Sequence, residues 1–581
     1  MENPVLNIKY KYDGKEYFLN SFGNSPYLDA QVNVTNISVN VKLFPKAFVE
    51  LESAKLEFSH KFQDGDRFFS NGYESWSTSR EYAKDDIQQG IPKYVGMNPI
   101  KYAVGVSSDV FFVPQEREKG HFHSHYYTYI KNVNDSSEIF FLGSLSERSG
   151  YTYFCADMIN DRLSINKDVE GAVISDEYDL INVCLLRGGF DEVFDKYFEL
   201  MNVPKPRYDH FAGYTSWYNY FQQINEDIII RDLNSLDRVK DSVNVFQIDD
   251  GYETFVGDWL DPNPKKFPKG LKYIADSIHE KGYKAGIWLA PFSVQIKSRT
   301  YKEHPDWIVR HNNIPVVGVY SWGGAYTLDI YNEEARNYIK HFFDVILNEY
   351  GFDMVKLDFL YSECMIPRNG KSRGQIECEA LDFLRECVGD KIFLGCGVPL
   401  GPAFGKIDAC RVTCDVSMFY ENKLFPIFPL NSELPNKIAS INPINSELPS
   451  AKNSINNTLF RRQLNGRVWL NDPDVFYLRY SNLSFNMDQK ILLGTVNHIF
   501  GDVLFVSDNM DEYKDRDIEA VRKFYSKNDE YKVLDVNYVD SNKKLLVTML
   551  DKDNKQVMLW FDVDSGVGNQ ESIIGLSKKR D

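Results

Sequence analysis

Six aspartates stand where short apolar runs end: Asp249, Asp250, Asp329, Asp358, Asp415 and Asp472. A single acid at a strand end is ordinarily a helix cap or a loop anchor. Six of them invite a chemical explanation, because the C-terminal ends of barrel strands are where catalytic groups gather. Two carboxyl groups on different strands, one ionised and one protonated, are what glycoside hydrolysis requires. Asp358 closes Val355-Lys356-Leu357-Asp358. Residues i and i+2 share a strand face, so Lys356 and Asp358 point the same way. The ammonium is expected to depress the Asp358 pKa and keep it ionised, as a nucleophile must be. A structural ion pair is the alternative reading of that spacing.

Asp415 follows Arg411-Val412-Thr413-Cys414. An acid/base needs a raised pKa, which a close guanidinium opposes, so Arg411 is expected to bind substrate hydroxyls rather than pair tightly with Asp415. Asp249-Asp250-Gly251-Tyr252 offers two adjacent acceptors for hydroxyl groups, or else an Asp-Gly turn. Trp217, Tyr218, Trp259 and Trp288 fall near strand ends, where a ring could stack on a sugar; core packing is the alternative for each. His121, His123 and His125 alternate along one run and could share a strand face. With no carboxylate or cysteine cluster beside them, they are expected to be structural, and no metal is expected.

These residues need elements to hold them. Residues 1–195 alternate polar and apolar residues in short runs, among them 32–43, 103–113 and 126–130, which predicts an antiparallel β-sandwich. After Pro204-Lys205-Pro206 the pattern changes. Strands are expected at 212–217, 243–249, 284–290, 354–358, 392–397, 409–413 and 467–470. Amphipathic helices lie between them: Leu271, Ile274, Ala275 and Ile278 closed by Gly282; Ala335 to Ile346 opened by Asn332; Ile376 to Cys387 ended by Gly389. Seven or eight β/α units favour a closed (β/α)₈ barrel over 196–507. An insertion at 421–457 repeats Pro429-Leu430-Asn431-Ser432-Glu433-Leu434-Pro435 as Pro443-Ile444-Asn445-Ser446-Glu447-Leu448-Pro449 and is expected to be an extended surface loop. Strands return over 508–581, predicting a small C-terminal antiparallel β-domain.

The totals narrow the partners. The 581 residues exceed what one core supports. A net charge of −17 would repel a phosphate backbone, so no nucleic-acid partner is expected. No apolar run is long enough to span a bilayer, and the polar stretch Met1 to Asp13 lacks a signal peptide's apolar segment. The 8 Cys show no C-x-x-C spacing, so a reducing, cytoplasmic setting is expected. The sequence does not set the oligomeric state and is compatible with a homo-oligomer.

In series, several segments resemble glycoside hydrolase family 36, the α-galactosidases of clan D, most closely in pattern the shorter bacterial and archaeal members. They are Asn71-Gly72-Tyr73-Glu74-Ser75-Trp76-Ser77, Ser216-Trp217-Tyr218, Gln247-Ile248-Asp249-Asp250-Gly251-Tyr252, Gly257-Asp258-Trp259, Gly286-Ile287-Trp288-Leu289-Ala290-Pro291-Phe292, Lys356-Leu357-Asp358-Phe359, Cys396-Gly397-Val398-Pro399-Leu400-Gly401-Pro402-Ala403 and Arg411-Val412-Thr413-Cys414-Asp415. The resemblance implies a retaining hydrolase that releases terminal α-linked galactose from oligosaccharides without a cofactor. It implies Asp358 as nucleophile and Asp415 as acid/base. Asp249 and Asp250 would bind O4 and O6, Lys356 and Arg411 ring hydroxyls, and Cys396 would lie near O2. Trp217, Tyr218 and Trp288 would be pocket walls, with Trp76 reaching in from the N-terminal domain. Tyr252, Tyr73-Glu74 and Thr413-Cys414 depart from the family pattern at the rim. Related readings are an α-N-acetylgalactosaminidase and an α-galactosyl transglycosylase; a non-catalytic carbohydrate-binding protein is the alternative from another class.

Overall fold

The computed structural model describes residues 2–21, 25–88, 118–420, 449–540 and 542–576. The N-terminal region forms two seven-stranded sheets, all of whose recorded pairings are antiparallel. Alternation drives their packing. Val39, Val41 and Leu43 of the strand Ser38–Pro45 are fully buried, and the residues between them are only partly covered. They join Leu51, Leu56 and Phe58 of the strand Val49–Ser59 in one core between the sheets. The expected run at 103–113 lies outside the described residues.

The barrel strands are β1 (Phe211–Thr215), β2 (Val245–Ile248), β3 (Lys284–Leu289), β4 (Met354–Leu357), β5 (Ile392–Gly395), β6 (Ala409–Arg411), β7 (Leu470–Asp472) and β8 (Val503–Val506). They pair in parallel in the order β7-β6-β5-β4-β3-β2-β1-β8. The Asp502 N–H donates to the Asn471 carbonyl at 3.1 Å, and the Phe211 N–H to the Asp502 carbonyl at 2.8 Å, so backbone bonds also tie the β7 end to the β8 end. At β1 the backbones pass so closely that a Cβ on Gly213 would sit 1.8 Å from the Val245 carbonyl oxygen. Only glycine fits there.

The helices follow their expected phases. Gly270–Glu280 buries Leu271, Ile274, Ala275 and Ile278. Asn332 caps Glu333–Asp344 by accepting from the Ala335 N–H at 3.1 Å, and Ser372 with Gln375 forms a capping box on Arg373–Val388. Two expectations need correction. The last expected strand, 467–470, starts later, at Leu470, because Arg467 turns outward to Asp191 and Asp195. The eighth strand, Val503–Val506, was not among those expected.

The insertion is also corrected at its end. Residues 421–448, which hold nearly all of the repeat, lie outside the described residues. Ala451–Phe460 is not loop but a helix capped by Ser450 and largely buried. From it, Asn456 and Asn457 bond the backbone of Ser79 and Ser77 at 2.8 and 3.2 Å. The adjoining Arg461, fully buried, bonds the carbonyls of Val412, Glu74 and Ser77 at 2.7, 3.1 and 2.8 Å. This segment therefore straps the Asn71–Ser77 motif of the sandwich to the strand that precedes Asp415.

A three-stranded antiparallel sheet, Lys532–Val539, Lys544–Leu550 and Gln556–Asp562, follows the barrel. Its inner face buries Val536, Leu545, Val547, Leu559 and Phe561. His121–His125 is a strand paired with Tyr151–Asp157, in which His123 and His125 are buried and His121 lies 3.5 Å from Asp157. Among the described residues no group of His, Cys, Asp or Glu is placed to hold a metal, and no helix is long and apolar enough to cross a membrane.

Candidate active site

The strand ends of the barrel open on a cavity of about 760 Å³. Four of the six strand-end acids line it: Asp249, Asp250, Asp358 and Asp415. Asp329 is instead a loop anchor that accepts from the Tyr331 N–H and pairs with Arg368 at 3.1 Å. Asp472 is buried behind the lining and accepts from the Asp474 N–H at 2.8 Å. A larger groove, about 990 Å³, lies between the sandwich and the hairpin at 310–315, but its Lys9 and Lys11 already pair with Glu52, and it brings no strand-end acids together.

Asp358 sits at the floor. The Trp288 indole N–H donates to its Oδ2 at 3.0 Å and the Phe359 N–H to its Oδ1 at 2.8 Å, so both oxygens are held. Phe359 takes a left-handed backbone, φ 54°, to turn its N–H back to this acid. Burial pushes the Asp358 carboxyl above its usual range, and Asp415 adds to this; Lys356 and the Trp288 bond pull the other way without winning. The expected depression by Lys356 is thus corrected. The Lys356 ammonium makes its bond to Asp249, at 2.8 Å, across the barrel. Burial disfavours that ammonium, but Asp249, Cys396 and Asp358 together outweigh it and hold its pKa above the ordinary range.

This pair carries a prediction. Asp249 is almost fully buried, and Lys356 is its only ion-pair partner among the described residues. Lys356→Met strands a buried carboxylate, which costs about 3–5 kcal/mol. A urea melt at neutral pH should show that loss. A variant as stable as the wild type would mean that this ion pair adds nothing to the stability of the fold.

Asp415 stands at the mouth, its side chain 40% exposed. Here too an expectation is corrected. Arg411 is fully buried, is paired with Asp415, and does not line the cavity. The same guanidinium nitrogen lies 3.0 Å from Asp474 and 3.1 Å from the Tyr218 hydroxyl. Tyr218 is likewise no cavity wall; it is buried and its hydroxyl donates to Asp474. Cys396 is buried, hydrogen-bonded to Asp358 from behind the lining. Trp259 is fully buried against Trp288, with ring centroids 5.8 Å apart.

Trp76, Trp217 and Trp288 do line the cavity. Trp76 reaches in from the sandwich and meets Phe359 edge-on at 5.3 Å. Gly397, at φ 53°, makes room for it: a Cβ there would lie 3.1 Å from the Trp76 ring.

Several lining or supporting residues were missed. Trp322 projects from a loop after β3 and donates its indole N–H to Asp250 at 2.8 Å. Its own φ is 60°, uncommon for a bulky residue, and Gly323 and Gly324 follow it; that Gly-Gly pair was the available sign of a sharp turn. Tyr220, Phe221 and Gln222 form a rim after β1. Asp474 lies two residues past Asp472, accepts from the Val416 N–H at 2.8 Å, and is pushed up to about 7, chiefly by burial, with Arg411 opposing.

The fold and cavity together define a class: a (β/α)₈ barrel with four acids at its mouth, preceded in the chain by a β-sandwich and followed by a small β-sheet. Residues 214–377, which run from the end of β1 through β4, match the melibiase family model. The α-galactosidase Mel36A of Lactobacillus acidophilus is 29% identical over 150 residues, 25% of this chain and 20% of that protein. An enzyme of Flavonifractor plautii described as an A type blood alpha-D-galactosamine galactosaminidase is 33% identical over 156 residues, 24% of this chain and 14% of its own length. These matches thus span a fifth or less of the curated relatives. Among solved structures, the α-galactosidase TtGalA of Thermus thermophilus, in complex with p-nitrophenyl α-D-galactopyranoside, superposes with a TM-score of 0.68 at 23% identity, covering 97% of this chain and all of that one. The α-galactosidase AgaA of Geobacillus stearothermophilus gives 0.59 at 11% identity, covering 96% and 81%. At these identities the superpositions establish the fold.

Proposed function

We propose that this chain is a retaining α-galactosidase of the family 36 type, releasing terminal α-linked galactose from galacto-oligosaccharides. The observation that carries this reading is the pair Asp358 and Asp415 in one cavity: a floor carboxylate with both oxygens held by N–H donors, and a half-exposed carboxyl where a leaving group would depart. The melibiase match over residues 214–377, which include Asp249, Asp250 and Asp358, supports it.

In this mechanism the Asp358 carboxylate attacks the anomeric carbon while Asp415 gives its proton to the departing glycosidic oxygen. A galactosyl ester on Asp358 results. Asp415 then takes a proton from water, which attacks the same carbon and frees Asp358. The Trp288 and Phe359 N–H groups keep the attacking oxygens aimed. Arg411 has Asp474 as a second carboxyl partner, so its charge stays compensated when Asp415 is protonated. Asp249 and Asp250 accept from sugar hydroxyls, and Trp76, Trp217, Trp288 and Trp322 supply apolar walls. Two carboxyl groups suffice for this chemistry, so no cofactor is invoked. The domain limits 1–195, 196–507 and 508–581 belong to the same proposal. So does a reducing, cytoplasmic location, supported by eight cysteines that are all free thiols.

The test is to offer p-nitrophenyl α-D-galactopyranoside beside the α-N-acetylgalactosaminide. Cleavage of the first alone is expected. Preferred cleavage of the second would move the assignment to an α-N-acetylgalactosaminidase, and cleavage of neither would refute a glycosidase of this specificity.

A further inference from the structure

Asp250 has a neighbour that the mechanism above does not use. Glu253, three residues on, is buried with its carboxyl beside that of Asp250, which raises its demand for a proton. Its Oε2 also accepts from the Gly251 N–H at 3.3 Å. The other donors to Asp250 are neutral: Gln222 Nε2 at 3.0 Å and Trp322 Nε1 at 2.8 Å. The charged groups around this corner are committed elsewhere. Lys356 pairs with Asp249, and Lys266 donates to the carbonyls of Gln222 and Gly251 at 2.5 and 2.9 Å. Tyr252, also here, directs its hydroxyl to the Trp288 carbonyl. Among the described residues, neither Asp250 nor Glu253 has an ion-pair partner.

Two buried carboxylates side by side with only neutral donors repel, and a proton on one of them turns that repulsion into a hydrogen bond. We propose that Glu253 is a positioning residue that keeps its proton at neutral pH and donates it to Asp250, fixing that acid as an acceptor for a substrate hydroxyl. The inference deepens the α-galactosidase reading and rests on it for the identity of the hydroxyl. Burial pushes the Glu253 carboxyl well up and Asp250 pushes it further, in the same sense.

A proton held above the usual carboxylate range is present at neutral pH and lost as pH rises. Its loss leaves two adjacent carboxylates and loosens Asp250. KM for p-nitrophenyl α-galactoside should therefore climb on the alkaline side, with kcat less affected. Glu253→Ala removes the donor, so KM rises about tenfold or more across the whole range. Glu253→Gln keeps a donor that cannot ionise; it should rescue most of that loss and flatten the alkaline rise in KM. A merely structural Glu253 predicts no such change in the pH profile.

A second readout needs no turnover. The infrared difference spectrum of wild type minus E253Q at neutral pH should contain the carbonyl stretch of a protonated carboxyl. An unaltered alkaline KM rise in E253Q, or a difference spectrum with only carboxylate bands, overturns the inference. If the wild type cleaves no galactoside at all, the functional reading fails, while the infrared spectrum still decides whether the Asp250–Glu253 pair holds a proton.

Discussion

Asp358→Ala is expected to lower kcat for p-nitrophenyl α-D-galactopyranoside by about 10⁴-fold, on the scale seen when a hydrolase loses its nucleophile. Among the described residues, no other lining acid can replace it. Asp249 is bound to Lys356, Asp250 to Trp322 and Gln222, and Asp415 stands at the mouth beside Arg411. Truncation opens space on the floor, bounded by the Trp288 indole N–H. A small anion such as azide should enter it and restore turnover, giving β-galactosyl azide, because it attacks from the side that Asp358 occupied. The fold should survive. Burial holds the Asp358 carboxyl above its usual range, so ionising it at neutral pH costs the folded state stability. The carboxyl's favourable contribution is complete below its unfolded pKa and is lost as pH rises through the folded one. The variant should therefore melt at or above the wild-type temperature at neutral pH, with the gap closing on acidification into the usual carboxylate range. Activity within tenfold of the wild type would remove Asp358 from the mechanism.

Asp415→Ala should cut selectively. A general acid contributes about 10²–10⁴-fold when the leaving oxygen is a poor one. For a galacto-oligosaccharide, kcat/KM should fall on that scale. For the nitrophenyl galactoside, whose leaving group departs without a proton, kcat/KM should fall far less, while kcat drops because water loses its base in the second step. Steady-state kinetics on the two substrates checks this. An equal loss of kcat/KM on both would mean that Asp415 binds sugar rather than transferring a proton. Arg411 makes the position sensitive in a second way, since truncating Asp415 leaves its charge to Asp474, with Tyr218 and Thr413 as neutral partners.

How much of this could be read beforehand depends on what fixes each contact. The apolar phase of Leu271, Ile274, Ala275 and Ile278 is a local property, and the helix follows it. So are the short buried runs of β2 to β5. The acids at the ends of β2 and β4 could be placed at the mouth because strand polarity sets that end. The partner of Lys356 could not be read. Spacing along a strand shows which face a side chain takes, whereas the choice between Asp358 and Asp249 depends on reach across the barrel. Arg411 misled for a related reason. It was weighed only against Asp415, while Asp474, sixty-odd residues later, is what makes burying that guanidinium tolerable. Tyr218 and Cys396 lie one layer behind the positions expected of them, a depth that strand-end location does not encode. The helix Ala451–Phe460 escaped because it is covered nearly all round, Asn456, Asn457 and Thr458 included, so its sequence carries no amphipathic stripe. Trp322 depends on a left-handed turn that only its two following glycines hint at.

The central claim is double displacement through Asp358 with Asp415 as the proton carrier. It is tested most directly by proton NMR of the galactose first formed from p-nitrophenyl α-D-galactopyranoside, recorded before mutarotation. Two inversions at the anomeric carbon predict α-galactose as the initial product. Initial β-galactose would mean a single displacement by water, and would contradict the nucleophilic role assigned to Asp358.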